Sequence, residues 1–314
     1  MYFPYFRGRQ YELLALRELA QSGLLGGHVI PIVEPIKLTS TFDGAVKAFT
    51  DKNQLLALIL NPAVGDLSGG TAIGAILPYI SGSVIPSVIM GKDTASAIRP
   101  LFNKNILGED VLAVMNNRDF LSEYHDLFGN APPKYTLFPD ERQIRRAVNA
   151  NKVMFEDKFK KQGKNADYLN QEDEFYSDDH LYFNEDGFAG FSDYSIVGNE
   201  YDESGFAPRA VAIHIVYFAD DDNVKNVLRI RHFVSDTNDD VSDVAGKFHE
   251  AVMKLKRWYD VGQSRQRTTA LSTLLAHAEN GYYPGLPTIK KLSIMHHLEL
   301  VGRYLDYLSG GTGN

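Results

Sequence analysis

The chain contains no cysteine, so it has no disulfide, no thiolate nucleophile and no cysteine-ligated zinc. Long apolar runs are missing as well. The run at residues 55–60 (LLALIL) is far shorter than the roughly 18 residues a membrane helix needs, which predicts no membrane span. The first residues are aromatic where a signal peptide carries a basic region and then an apolar one, so the expected location is the cytoplasm. Positive charge is in deficit: 32 Lys and Arg stand against 40 Asp and Glu, a net charge of −8. That balance disfavours direct nucleic-acid binding. Several catalytic signatures are absent too. The glycine loop at residues 65–70 lacks the G-K-[ST] ending of a P-loop, and there is no G-x-G-x-x-G and no G-x-S-x-G. His296 and His297 are adjacent rather than four apart, so they predict one core-facing and one solvent-facing ring rather than a metal pair.

What is present is a repeated alternation. Short apolar runs at residues 2–6, 29–33, 55–60, 84–90, 111–115, 135–138, 153–155 and 187–195 are separated by helical patterns. Most starts fall roughly 24–29 residues apart, the period of a strand plus a crossover helix. Eight such units, rich in β-branched residues suited to strands buried on both faces, predict an α/β fold of the (β/α)8, TIM-barrel-like kind. An open doubly wound sheet has the same local pattern but usually carries a glycine-rich dinucleotide turn.

Before the last run lies an acidic insertion, about residues 160–187. Residues 165–205 hold twelve acidic side chains and no Lys or Arg, leaving the rest of the chain near +4. The composition predicts a solvated loop, with a lid or a docking surface for a basic partner as the functional alternative. From residue 206 to 235 the pattern changes to an antiparallel hairpin. Val211, Ile213, Ile215 and Tyr217 lie on one face of its first strand and His214 on the other, while Arg229 and Arg231 share a face of the second. Residues 241–310 predict two or three amphipathic helices. Barrel core (1–205), hairpin and helices are expected to form one continuous domain. Lys254, Lys256, Arg257, Arg265 and Arg267 predict an exposed helical face.

In a βα barrel the site is built from the C-terminal ends of the strands. The residues there include Arg7, Arg9, Glu34, Asn61, Asn116, Asp140, Glu156, Asp157 and Asp193. Glu34, Glu156 and Asp193 are the catalytic candidates. Converging, they could hold Mg²⁺ or Mn²⁺ or divide acid and base roles; singly, each could cap a helix or pair with an arginine. Arg7, Arg9, Asn61, Asn116, Tyr194, His214 and Arg231 are the substrate-binding candidates, suited to an anionic or phosphorylated group. For His214 a hydrogen-bonded interior position is the stronger expectation, and for Arg229 and Arg231 pairing with the acidic insertion.

Three stretches also carry a resemblance. Pro4, Phe6, Arg7, Arg9, Glu12, Ala15 and Leu16, then residues 30–35 (IPIVEP), then residues 190–194 (GFSDY) with the His214 strand and the arginine-bearing strand after it, resemble a bacterial family related to the beta-protein family. That group is known from phage and mobile-element contexts, and Arg9 stands where the broader group often has Lys. The resemblance implies a barrel-like α/β fold and a role in phage defence or a mobile element beside a protein partner, such as the product of an adjacent gene. It assigns no reaction and no catalytic residue. The competing expectation, from the strand-end carboxylates, is a metal-dependent hydrolase acting on a phosphate-containing or nucleotide-like substrate.

Overall fold

The computed structural model describes residues 1–69, 72–202, 208–221 and 223–310. Gly70 of the glycine loop, Glu203 of the acidic stretch, and Ala207 and Asp222 of the hairpin region lie outside the described residues. The chain divides into two units, Met1–Asp157 with Asp179–Tyr194, and Lys158–Asp178 with Ser195–Asn314. The strands are β1 (Tyr5–Phe6), β2 (Ile32–Val33), β3 (Leu56–Ile59), β4 (Val84–Ile89), β5 (Leu112–Val114), β6 (Tyr135–Phe138), β7 (Lys152–Phe155), β8 (Asp173–Ser177), β9 (Gly190–Ser192), β10 (Ala212–Ala219) and β11 (Val227–Val234). The helices are α1 (Gln10–Ser22), α2 (Ser40–Asp51), α3 (Ile73–Ile76), α4 (Thr94–Phe102), α5 (Leu121–Phe128), α6 (Arg142–Ala147), α7 (Asp179–Tyr182), α8 (Val244–Asp260), α9 (Thr269–Asn280) and α10 (Leu286–Leu308).

In the first unit eight parallel strands run in the order β1-β2-β3-β4-β5-β6-β7-β9. The ends of that row meet. Phe3 N–H donates to Phe191 O (2.9 Å), Tyr5 N–H to Asp193 O (2.8 Å) and Phe191 N–H to Met1 O (3.1 Å). Those bonds join β9 to β1, so the sheet is a (β/α)8 barrel, not an open sheet with two edges. Gly190 belongs at this seam because a Cβ there would lie 2.5 Å from Met1 O and 2.8 Å from Phe3 Cε2. Alternation sends Phe3, Tyr5, Ile32, Ile59, Val114 and Phe155 into the barrel interior, where they form one packed cluster. Each such side chain contributes about 1.5–3 kcal/mol by burial.

The helices form for local reasons. In α1 the apolar positions Leu13, Leu16, Leu19 and Ala20 repeat at helical spacing and are buried. Its start is fixed by Glu12, whose carboxylate accepts from Arg9 N–H at 2.9 Å. It ends at Gly23, whose φ of 66° suits a residue without a Cβ. Thr39 caps α2 by accepting from Phe42 N–H at 3.2 Å.

The second unit is built on a three-stranded antiparallel sheet in the order β10-β11-β8. The hairpin is where its alternation places it, with His214 opposite His232 and Tyr217 opposite Arg229. Its third strand comes from the acidic insertion, which is therefore not a plain solvated loop: residues 173–177 pair with β11. Trp258 of α8 meets Tyr217 at 5.1 Å and Phe233 at 5.5 Å between ring centroids, and Tyr304 of α10 meets Phe218 at 4.8 Å. Among the described residues no helix is long and apolar enough to cross a membrane.

Candidate functional site

The barrel brings a polar cluster together where β1, β2 and β9 end. Glu34 follows β2, is 1% exposed, and holds two hydrogen bonds and an ion pair. Tyr5 OH reaches Oε2 at 2.8 Å, Arg7 Nε lies 3.2 Å from the same oxygen, and Ala63 N–H donates to Oε1 at 2.7 Å. Around this carboxylate stand three rings. Tyr5 is 5.4 Å from Phe155 and 5.2 Å from Tyr194, and Phe155 is 4.9 Å from Tyr194. The Arg7 guanidinium carbon lies 5.8 Å from the Tyr194 ring centre, within cation–π range. Burial, then the Glu34 and Tyr194 charges, hold the Tyr5 phenol well above its ordinary range. Burial pushes Tyr194 up to about 12, with Arg7 pulling down and Glu34 and Asp157 pushing up. Both phenols are therefore donors at neutral pH. The cluster presents one cation, one carboxylate and two hydroxyls on an aromatic floor, a set suited to holding a polar or anionic group rather than to forming a covalent bond.

The three catalytic candidates do not converge on it. Asp193 accepts from Tyr2 OH at 2.7 Å, and Tyr2 stacks on Phe191 at 5.0 Å. Phe3 and Tyr5 belong to the interior cluster and Tyr2 does not, so Asp193 is on the outer face of the strands while Glu34 is on the inner one. Glu156 comes one residue after the inward-facing Phe155, and its backbone N–H donates to Ser192 O at 3.2 Å. It is the next residue, Asp157, whose charge acts on Tyr194. Among the described residues no group of three His, Asp or Glu side chains is arranged to hold a metal ion.

The substrate-binding candidates separate in the same way. Arg7 and Tyr194 are in the rim cluster. Arg9 sits at the start of α1, with Nη1 3.4 Å from Glu12 Oε1. Asn61 is spent on the backbone of β4, donating to Ile89 O at 2.8 Å and accepting from Ile89 N–H at 2.9 Å. Asn116 is exposed after β5. In the second unit Arg231 lies 3.9 Å from both Glu172 and Asp173, and Arg229 2.6 Å from Asp173, so the arginine face pairs with the acidic segment. Of the basic residues in the tail, Lys254 contacts Asp236 at 2.6 Å, Lys256 contacts Asp260 at 3.0 Å, and Arg265 donates to Phe218 O at 2.8 Å.

The histidines depart most from expectation. His296 and His297 are both fully buried, not one in and one out. The reason is that α10 is apolar nearly all round, with Leu292, Ile294, Met295, Leu298 and Leu300 all buried. His296 Nε2 lies 2.8 Å from Val216 O, which fixes it as the donor and leaves Nδ1 to accept from Thr268 OH at 2.7 Å. Burial is the main cause that lowers its pKa to about 4. His297 Nδ1 is 2.9 Å from Ser195 Oγ. His214, expected as an interior hydrogen-bonded ring, meets His232.

Sequence reading passed over Tyr5 and Phe155, and placed Asp157 at the strand ends without making it a candidate. Alternation from Phe3 places Tyr5 inside and beside the strand that carries Glu34. The same alternation applied from Val153 through Phe155 selects Asp157 over Glu156. In comparisons with family models, curated proteins and solved structures, nothing matches this chain.

Proposed function

We propose that the chain is a component of a bacterial phage-defence or mobile-element system that acts through a protein partner, with the barrel as its scaffold. The observation that supports this reading is the convergence of the three stretches that resemble the beta-protein-related family. Arg7, Glu34 and Tyr194 come from three separate stretches, yet their side chains meet at one corner of the barrel with Tyr5. One interlocked corner built from separate stretches is what a scaffold requires. The donors already on Glu34 also favour holding over hydrolysis, since a metal ion there has to displace Tyr5, Arg7 or Ala63 N–H. The test is co-purification of the tagged chain from its bacterial host, with mass spectrometry and size exclusion. A stoichiometric partner retained through both steps is expected, and a strictly solitary protein overturns the reading.

A metal-dependent hydrolase acting on a phosphate-containing or nucleotide-like substrate is the second reading. It is favoured by Asp157, which brings a further carboxylate charge to the Arg7–Tyr194 side of the cluster. It predicts bound Mg²⁺ or Mn²⁺ by elemental analysis, lost together with hydrolysis in Glu34→Gln and in Asp157→Asn. Metal-free protein whose variants behave as wild type removes it.

A further inference from the structure

The two outer edges of the sheet in the second unit are finished differently. Ser235 N–H donates to Val211 O at 2.9 Å, and alternation from that bond turns Ile213, Ile215 and Tyr217 of β10 toward β11. Val216 and Phe218 therefore present their backbone groups at the outer edge, where side chains take them up. His296 donates to Val216 O at 2.8 Å. Gln266 accepts from Phe218 N–H at 3.0 Å and donates to Phe218 O at 2.8 Å, and Arg265 donates to the same oxygen at 2.8 Å.

β8 forms the opposite edge and has no such cover. His232 N–H donates to Glu172 O at 2.7 Å, and Ile230 stands opposite Glu174. With every peptide trans, the N–H and C=O of Asp173 and of Phe175 then point away from β11. Among the described residues nothing bonds to any of these four groups. Beside them the Phe175 side chain is 43% exposed. An open strand edge that carries an exposed aromatic ring is a template for another strand.

The charges select the occupant. β11 carries Arg229 and Arg231, and the next row outward, on β8, carries Glu172 and Asp173. Asp173 lies 2.6 Å from Arg229, and Arg231 lies 3.9 Å from both carboxylates. A strand added outside β8 runs about 4.8 Å from the acidic row and about twice as far from the arginines. It meets carboxylates first, so Lys or Arg continues the alternation of charge and Asp or Glu breaks it. A second copy of this chain is disfavoured on the same ground. Pairing β8 with itself through all four groups sets Asp173 opposite Phe175 and hence one buried Glu174 opposite the other.

We propose that the Asp173–Phe175 edge of β8 is a docking site for an extended basic segment of a protein partner, which joins the sheet as a fourth strand. An apolar residue of that segment packs on Phe175, and a Lys or Arg two residues away faces Asp173 on the same side of the sheet. This docking rests on the partner-dependent role proposed for the chain, and it gives the partner its chemistry.

Amide hydrogen exchange of the ¹⁵N-labelled full chain tests the edge without a ligand. Asp173 and Phe175 N–H are expected to exchange at least about tenfold faster than Glu174 N–H, and slow exchange at both overturns the proposal. The probe is a short capped peptide that repeats Lys-Thr-Val-Thr. It should protect both amides saturably, with a Kd on the order of 1 mM, and Phe175→Thr, a change at an exposed side chain, should weaken that protection several-fold. Equal protection by the peptide with Glu in place of Lys, or by one N-methylated along its backbone, overturns the proposal. Co-purification separates the docking site from the role it rests on. A stoichiometric partner held undiminished by the Phe175→Thr chain overturns the site alone, and a chain with no partner overturns both.

Discussion

Glu34 in the barrel and Glu174 in the three-stranded sheet are a matched pair with different neighbours. Both are nearly inaccessible, and each receives one cation, Arg7 or Lys160. Around Glu34 the other partners are a phenol and a backbone N–H, which donate their single proton to it. Around Glu174 the other partners are the Gln171 amide and an imidazole, and the imidazole donates from one nitrogen and accepts at the other. The first network ends on the carboxylate and locks a corner. The second carries the influence of the carboxylate across two rings. Burial of a carboxylate is common to both, so the chemistry of its donors is what separates a fastening from a conduit.

The largest effect is expected where the closed network is cut. Glu34→Leu leaves a buried cation, a phenol and an amide without their acceptor, and should cost about 3–5 kcal/mol by urea unfolding. Glu34→Gln keeps an acceptor and should cost roughly half as much. Equal stabilities for the two variants would dissolve the contrast with Glu174.

Acid should act next, and on the second unit. His296 is neutral when folded with a pKa of about 4, while an unfolded imidazole titrates near 6.5. Between those values the unfolded chain binds the extra proton, so stability is complete above pH 6.5 and falls as pH drops toward 4. The loss from this group is about 3 kcal/mol, and the depressed His214 and His232 add to it with the same sign. Unfolding at pH 7, 5.5 and 4 measures the slope, and His296→Gln, which keeps a donor and an acceptor, should flatten it.

Smaller still, Tyr5→Phe removes the phenol hydrogen bond to Glu34 and should cost about 1–1.5 kcal/mol. The smallest effect is Arg231→Ala. Its two carboxylate contacts are 3.9 Å long at a partly exposed site, so the change should stay within about 0.5 kcal/mol.

The barrel was legible because every βα unit states its own period locally, and the same holds for the hairpin and the pairing of Arg229 and Arg231 with acid. The third strand of the second sheet was not. Asp173-Glu-Phe-Tyr-Ser177 sits in a run of acidic residues, and nothing local shows that Glu174 is buried against His232 and Lys160. The burial of His296 and His297 had a signal that a one-sided reading of α10 missed, namely apolar residues on every side of the helix. At the rim, strand-end position identified Glu34 and Arg7. Which face each carboxylate takes depends on register to the residue, and a slip of one exchanges Asp193 for Tyr194 and Glu156 for Asp157.

The order of strands along the chain has a consequence for synthesis. After β7 the polypeptide leaves the first unit for residues 158–178, returns for β9, and leaves again. As the chain emerges from the ribosome, β8 appears before β9 and long before β11, the strand it pairs with. The barrel can therefore close while β8 is still an unpaired strand with both edges free. Its run of Asp173 and Glu174 between Glu172 and Asp178 guards that interval, since like charges on an unpaired edge repel a second copy. The acidity that makes this segment read as a loop would then serve a strand that has to wait.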